Sequence, residues 1–119
     1  MVGSDGESLA FYPTSLTAKA GTKVSITFKN NSTALSHNFV LVNGGDDVAA
    51  MVDEAASEAG EAAGYMPADK ANIIAGSALL APGASEILEF TAPAAGTYTY
   101  ICTYPAHFGG GMYGTLTVN

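Results

Sequence analysis

Short runs of alternating apolar and polar residues, separated by turn-forming residues, make up most of this chain of 119 residues. In the segment 24–29, Val, Ile and Phe alternate with Ser, Thr and Lys, which is the pattern of a half-buried strand. Further β-rich runs occur at 9–12, 15–18, 38–42, 87–90, 97–102 and 113–118. Gly, Pro and Asn punctuate them, as at Asn30-Asn31 and Pro82-Gly83. About seven strands at this spacing predict an all-β sandwich.

One segment departs from this pattern and has the spacing of a helix. Asp46 and Asp47 can cap its start. The apolar residues that follow at i, i+3, i+4 and i+7 are Val48, Met51, Val52 and Ala55. We expect a short helical flap over 46–64 within an insertion of 46–70, with its narrow apolar stripe packed against the side of the sandwich.

Composition favours a single soluble domain spanning 1–119, because the chain is 48% hydrophobic and has no apolar stretch long enough to cross a bilayer. The formal net charge of -7 opposes binding to nucleic acids. Seven acidic residues fall within 46–69 and are interpreted as a solvated face, namely Asp46, Asp47, Asp53, Glu54, Glu58, Glu61 and Asp69.

The residues with metal-binding side chains lie around Cys102. Because Cys102 is the single cysteine, the chain cannot form an intramolecular disulfide. Cys102, His107 and Met112 form a Cys-x4-His-x4-Met pattern on a loop between two predicted strands, and His37 begins a third strand far upstream. One thiolate, two imidazoles and a weak axial thioether are the ligands of a trigonal blue-copper site. Taken alone, each of these residues is more simply explained by a structural role than by metal binding. Their occurrence together favours a copper site.

Other chemistries fit the same residues less well. A copper chaperone or storage module should use exposed Met-rich or paired-Cys sites, and it remains the alternative function. A copper enzyme such as a nitrite reductase needs more histidines than the two present. A Cys-His hydrolase would need an activating helix start or an oxyanion motif beside the cysteine, and structural zinc does not favour a thioether ligand.

The sequence resembles the cupredoxin family, within it the azurin-like branch and most closely the auracyanins. The resemblance covers nearly the whole chain and rests on segments 36–41, 73–75 and 99–107, on the helical flap and on Met112. The chain departs from azurins because it has one more residue between the loop His and Met, lacks their disulfide pair, and carries Ser36 where azurin has a Gly whose carbonyl approaches copper.

This resemblance implies an eight-stranded Greek-key sandwich that holds one copper ion. The implied ligands are His37, Cys102, His107 and Met112. Asn38 and Thr103, each directly after a ligand, would tie the two ligand segments together. Ser36 is counted with them as a residue around the ligands, and contact of its carbonyl with copper stays open.

The resemblance also implies an electron carrier rather than an enzyme, cycling between Cu(I) and Cu(II) in a bacterial photosynthetic or respiratory chain. Leu35, Ala106 and Phe108 would form a docking patch around the edge of His107. The expected donor is a cytochrome or a membrane electron-transfer complex, and the expected acceptor is a reaction centre or a cytochrome. We expect a monomer in the periplasm or on the outer face of the cytoplasmic membrane, with residues 1–7 as the remnant of an N-terminal tether.

Overall fold

Two mixed β-sheets face each other in the part of the chain that a computed structural model describes, residues 2–4, 10–67, 71–104 and 107–119. The first sheet contains β1 (Val2–Ser4), β2 (Phe11–Tyr12), β4 (Lys23–Lys29) and β7 (Ser85–Thr91), in the order β2-β1-β4-β7. The second contains β3 (Ser15–Ala18), β5 (Val40–Val42), β6 (Ile73–Gly76), β8 (Gly96–Ile101) and β9 (Tyr113–Val118), in the order β3-β9-β8-β5-β6. The predicted all-β sandwich is confirmed.

Four aromatic rings fill the centre of the sandwich. Phe11 lies edge-on to Phe28, Phe39 and Tyr100, with centroid distances of 5.8, 5.7 and 5.3 Å. Tyr100 stacks on Phe39 at 4.9 Å, and all four side chains are buried. Burial of each ring stabilises the fold by roughly 1.5–3 kcal/mol. The same core cluster extends to Cys102 and Met112, so the predicted copper loop closes one end of the core.

Two strands lie outside the seven predicted strand runs, although extended structure was expected from Asn72 onward. Val2–Ser4, within the span assigned to a tether remnant, is buried as β1 and pairs parallel to β4 and antiparallel to β2. Ile73–Gly76 forms the edge strand β6, which pairs with β5. Val-Gly-Ser has a single large apolar side chain and Ile-Ile-Ala-Gly is apolar throughout, so neither run alternates between apolar and polar residues. Leu9, at the start of the predicted run 9–12, lies outside the described residues.

The helical insertion lies between β5 and β6 and packs on the outer face of the second sheet. Helix α1 spans Asp46–Ala59 and is followed by a 3-10 helix, Glu61–Ala63. The predicted end near 60–64 is therefore confirmed. Among the described residues, no helix is both long and apolar enough to span a membrane.

The face and the cap of α1 differ from the prediction. Its buried residues are Ala49, Val52 and Ala56, whereas Met51 is 60% exposed. The small alanine side chains allow the helix to pack closely against β5 and β8. This close packing buries the alanine face of the helix and leaves the larger Met51 side chain outside.

The helix start is also different, because Gly45 is the N-cap and no side chain caps the helix. Asp46 instead accepts a hydrogen bond at Oδ1 from Thr99 Oγ1, at 3.1 Å. The predicted capping role of Asp46 and Asp47 was therefore wrong. Asp46 joins the start of α1 to β8, the strand that leads into Cys102.

Replacing Gly114 with Ala tests how tightly the core is packed beneath the copper loop. Gly114 lies opposite Tyr100 across β8 and β9, and a Cβ at this position would overlap the Tyr100 ring. The Tyr100 hydroxyl donates to the Pro13 carbonyl at 2.8 Å, so the ring has little freedom to move. We expect the free energy of unfolding to fall by about 1–3 kcal/mol in denaturant titrations of the copper-free chain.

A double-mutant cycle with Tyr100→Leu provides the control for this prediction. In the Tyr100→Leu background the ring is gone, so Gly114→Ala should cost much less. An equal cost in both backgrounds would show that the ring does not limit the size of residue 114.

Candidate metal centre

The loop from Cys102 to Met112 is held by hydrogen bonds between backbone groups. The Cys102 N–H donates to the Met112 carbonyl at 3.2 Å, which continues the pairing of β8 with β9 beyond the strand ends. The Met112 N–H donates to the His107 carbonyl at 3.0 Å, and the His107 N–H donates to the Tyr104 carbonyl at 3.0 Å. The three loop residues of the predicted site are thus fixed relative to one another by the protein backbone.

His37 is held from the opposite side by a short pairing with Leu80. The His37 N–H donates to the Leu80 carbonyl at 3.2 Å, and the Leu80 N–H donates to the His37 carbonyl at 2.8 Å. This bridge places His37 just before β5, which pairs with β8. The upstream histidine therefore reaches the end of the strand that carries the cysteine.

Three donor side chains meet at this end of the sandwich. Cys102 Sγ lies 3.4 Å from His107 Nδ1 and 3.8 Å from His37 Nδ1, and the two Nδ1 atoms are 3.1 Å apart. Among the described residues, this is the one cluster of three or more Cys, His or acidic side chains close enough to share a metal ion. All three are buried, with His107 the most accessible at 5% exposure.

The donor set fits copper. A thiolate and two imidazole nitrogens directed at one point form the His2Cys arrangement that blue-copper sites use, with a weak thioether in the axial position. Met112 is fully buried in the same core cluster as Cys102, and its backbone forms hydrogen bonds with the backbones of both Cys102 and His107. The structure therefore brings three of the four predicted ligands together and fixes the fourth beside them.

Burial keeps the donors uncharged in the absence of a metal. It raises the pKa of the Cys102 thiol to about 11, against the smaller opposing effect of the Asn38 and Tyr104 backbone N–H groups. The Asp53 carboxylate raises the pKa further. Burial also lowers the pKa of His107. At neutral pH the copper-free site therefore contains a thiol and a neutral His107 imidazole.

Asn38 and Thr103 join the two segments that carry the donors. Asn38 Nδ2 donates to Thr103 Oγ1 at 2.7 Å, and the Thr103 N–H donates to Asn38 Oδ1 at 2.7 Å. Both side chains are completely buried. Thr103 Oγ1 also donates to the carbonyl of Tyr65, at the end of the helical insertion. The pairing implied by the resemblance is present in the structure.

The remaining residues singled out from sequence lie around this centre. Ser36 and Leu35 are half-buried directly before His37. Phe108 is half-buried, packs against the apolar cluster beneath α1 and lies edge-on to Tyr113 at 5.7 Å. Ala106 lies outside the described residues.

Asn30 is a supporting residue that sequence analysis missed. Its Nδ2 donates to the carbonyls of Leu35 and Leu80 at 2.8 and 2.9 Å. Its Oδ1 accepts from the Ser32 N–H at 2.9 Å and from Ser4 Oγ at 3.3 Å. Because Leu80 pairs directly with His37, this buried amide helps to position the histidine. The sequence signal, an Asn-Asn pair after a strand, indicated only a turn.

Two tyrosines next to the centre were also missed. The Tyr104 ring lies against the His107 ring, with centroids 4.7 Å apart and planes at 32°. Tyr65 lies edge-on to Tyr104 at 5.2 Å. The position of Tyr104, two residues after Cys102, could have indicated from sequence that it lies near the centre. Tyr65 is distant in sequence and lies near the centre only because the insertion folds back toward it.

The chain is similar in sequence and in structure to known copper proteins. The family of copper binding proteins described as plastocyanin/azurin matches residues 1–119. The chain is 53% identical to auracyanin-A of Chloroflexus aurantiacus over 118 residues, covering 99% of this chain and 72% of the relative. It is 50% identical to auracyanin-B of the same organism over 113 residues, covering 94% of this chain and 48% of the relative.

A solved structure of dithionite-reduced auracyanin from the photosynthetic bacterium Roseiflexus castenholzii superposes with a TM-score of 0.97 and 53% identity, covering 99% of this chain and 94% of the other. This chain belongs to the plastocyanin/azurin family of copper binding proteins. The sequence-based identification of a cupredoxin of the auracyanin type, with copper as cofactor and electron transfer as its class of function, is confirmed at the level of the family.

Proton release tests the protonation state of the copper-free centre. Copper binding requires the thiolate, and the pKa of Cys102 near 11 lies above neutral pH, so its proton must leave when the metal binds. Because burial lowers the pKa of His107, this ring is already neutral at pH 8 and can bind copper without releasing a proton. Titration with Cu(II) at pH 8 in weak buffer with an indicator dye should show about one more proton released per copper by the natural chain than by Cys102→Ser.

Equal proton release by the two chains would contradict a neutral, metal-binding thiol at Cys102. Circular dichroism of the copper-free variant establishes that the comparison is made between folded proteins.

Proposed function

We propose that this protein carries single electrons between redox partners, with one copper ion bound by His37, Cys102, His107 and Met112. The observation that carries the proposal is the convergence of one cysteine sulfur and two histidine Nδ1 atoms at a buried point. A bound copper ion supplies the chemistry by alternating between Cu(I) and Cu(II), and no substrate bond is made or broken. The whole chain, 1–119, acts as one cupredoxin-like domain.

The protein contributes rigidity to this function. Backbone pairing fixes Cys102, His107 and Met112, and the Leu80 bridge fixes His37, all without help from a metal. The Asn38–Thr103 pair then prevents the two ligand segments from moving apart. A site that changes little in geometry between oxidation states has a low reorganisation energy, which favours fast electron transfer.

Burial of the donor side chains excludes water from the copper site. The Cys102 and His37 side chains have no exposed surface, and His107 has 5%. Of the three donors, His107 is therefore the one nearest to solvent and the natural contact for a partner. We assign Leu35, Ala106 and Phe108 to a docking patch around it, of the small area typical of brief electron-transfer contacts.

The partners and location are proposed by likeness to the auracyanins. The similar solved structure is of a protein from a photosynthetic bacterium. A cytochrome or a membrane electron-transfer complex as donor, and a reaction centre or a cytochrome as acceptor, fit a carrier in such a chain. We place the protein in the periplasm or on the outer face of the cytoplasmic membrane, as a monomer that collides with its partners in turn.

Copper delivery or storage is less well supported. A chaperone must surrender its metal to a receiving site, which requires accessible donors. The donors here are buried, and their segments are held by hydrogen bonds on both sides of the site. This arrangement favours retention of the ion.

The visible and electron-spin-resonance spectra after addition of one equivalent of Cu(II) test the proposed function. The natural chain should develop an intense blue absorption and narrow copper hyperfine splitting, because the Cys102 thiolate bonds covalently to copper. Cys102→Ser should lose both features while remaining folded. A weak, ordinary Cu(II) spectrum from the natural chain would reject electron carriage and favour the chaperone function.

The reduction potential tests the role of Met112. Replacing Met112 with Leu removes a weak axial donor that favours Cu(II), so copper should stay bound and the potential should rise. Met51→Leu is the matched control, because Met51 lies 60% exposed on α1, and it should leave the potential unchanged. An unchanged or lowered potential in Met112→Leu would argue against axial ligation by this residue.

A further inference from the structure

One carboxylate of the helical insertion lies at the edge of its buried face. Asp53 directly follows Val52 and stands three residues before Ala56, and both of these neighbours are buried. The Asp53 side chain is only partly exposed, and its Oδ1 atom is buried without a hydrogen-bond partner among the residues that the structure describes. The other acidic residues of α1 are exposed, namely Asp46, Asp47, Glu54 and Glu58. Packing of the helix therefore turns Asp53 alone among the acids of α1 towards the protein.

The residues beneath α1 connect this carboxylate to the metal centre. The apolar cluster there contains Ile101, which directly precedes Cys102. Phe108, which directly follows His107, packs against the same cluster. Burial is the main cause that raises the pKa of the Cys102 thiol, and the Asp53 carboxylate raises it further. Charge at Asp53 is therefore felt at the centre through a poorly solvated part of the protein.

No positive side chain compensates Asp53 from the elements that surround the helix. Strands β5, β6, β8 and β9 and helix α1 carry no Lys or Arg, and β5 and β6 have no titratable side chain at all. The titratable residues of β8, β9 and the described part of the copper loop are Tyr98, Tyr100, Cys102, Tyr104, His107 and Tyr113. Tyr98 and Tyr100 pack in the core on the far side of the sheet from the helix.

The other titratable residues of the insertion, within its described part, are Asp46, Asp47, Glu54, Glu58, Glu61 and Tyr65. All five of these acids are exposed, so solvent and salt screen their charges. Asp53 is the acid of the insertion whose charge is least screened from the centre.

We propose that Asp53 tunes the copper centre, lowering its reduction potential as a carboxylate and taking up a proton when the copper is reduced. This inference rests on the proposed function and adds a residue to it. The donor protein loses one electron and Cu(II) gains it. A hydronium ion from the solvent gives its proton to Asp53, which forms one O–H bond and leaves a water molecule. The total charge of copper and Asp53 is then the same before and after reduction.

The direction of the effect follows from electrostatics. A negative charge stabilises Cu(II) more than Cu(I), because Cu(II) carries one more positive charge. Conversely, Cu(II) favours the ionised form of Asp53 more strongly, so the pKa of this group is higher in the Cu(I) protein. Linkage requires that protonation of Asp53 raises the reduction potential by the same factor. Burial raises the pKa of Asp53 above the ordinary value of an aspartic acid, so the protein stays folded over more of this titration.

The proton affinity of Asp53 is measured first, on the natural chain and without electron transfer. Carbon-13 nuclear magnetic resonance of the Asp53 carboxyl carbon follows its titration in the Cu(I) protein and in a Zn(II) protein. Zn(II) is diamagnetic, has the charge of Cu(II) and accepts Cys and His ligands. The proton should bind about 3-fold or more tightly in the Cu(I) protein than in the Zn(II) protein. Identical titrations in the two forms would overturn the proposal.

The reduction potential is then measured from about pH 4 to about pH 8. It should fall with rising pH in the natural chain by about 3-fold or more in the equilibrium constant, which is about 30 mV for one electron. Asp53→Asn should keep the potential near the low-pH value of the natural chain throughout this range. Glu54→Gln removes the same charge from the next, exposed position of α1 and should preserve the pH dependence.

A pH dependence that persists undiminished in Asp53→Asn would assign it to another group and overturn the role of Asp53. Loss of the pH dependence in Glu54→Gln as well would show that the position of the charge is unimportant, which also contradicts the proposal. Failure of the natural chain to form a blue site would instead reject the proposed function. The carbon-13 titration needs no variant, so it decides the proposal even where Asp53→Asn does not fold.

Discussion

The paired hydrogen bonds between Asn38 and Thr103 are the interaction on which the centre depends. They connect two segments that are 65 residues apart in the chain, each directly after a donor residue. Both groups are buried, so loss of either partner would leave an unsatisfied polar atom at a cost of about 1–3 kcal/mol. The same pair holds Gly64 and Tyr65, and the insertion is therefore coupled to the copper loop.

The neutral state of the buried donors explains how such a centre is compatible with folding. Ionised groups are costly to bury without a partner, but burial raises the pKa of Cys102 and lowers that of His107, so both are uncharged at neutral pH. The backbone pairing of the loop supplies the hydrogen bonds that the chain needs there. The geometry of the site can therefore be set by the protein, and the metal does not have to assemble it.

The sequence predicted those parts of the molecule that local patterns determine. Alternation identified the long strands such as β4, and the Cys-x4-His-x4-Met spacing with His37 identified the donors. Contacts between distant segments had no local pattern. Asn30 read as a turn residue although it supports the His37 segment, and Met51 fitted the apolar spacing of α1 although alanines form its buried face. These outcomes depend on what each side chain meets after folding.

A buried redox centre has to exclude water and still remain within tunnelling distance of a partner. Every layer of side chains that protects the donors also increases the distance that the electron must cross. His107 is the least buried of the three donors, so the distance from the centre to a partner is short at this residue. Part of the layer that covers His107 is aromatic, since Tyr104 lies against His107 and Tyr65 lies against Tyr104. The packed rings keep solvent away from one side of His107, and its small exposed surface is left for contact with a partner.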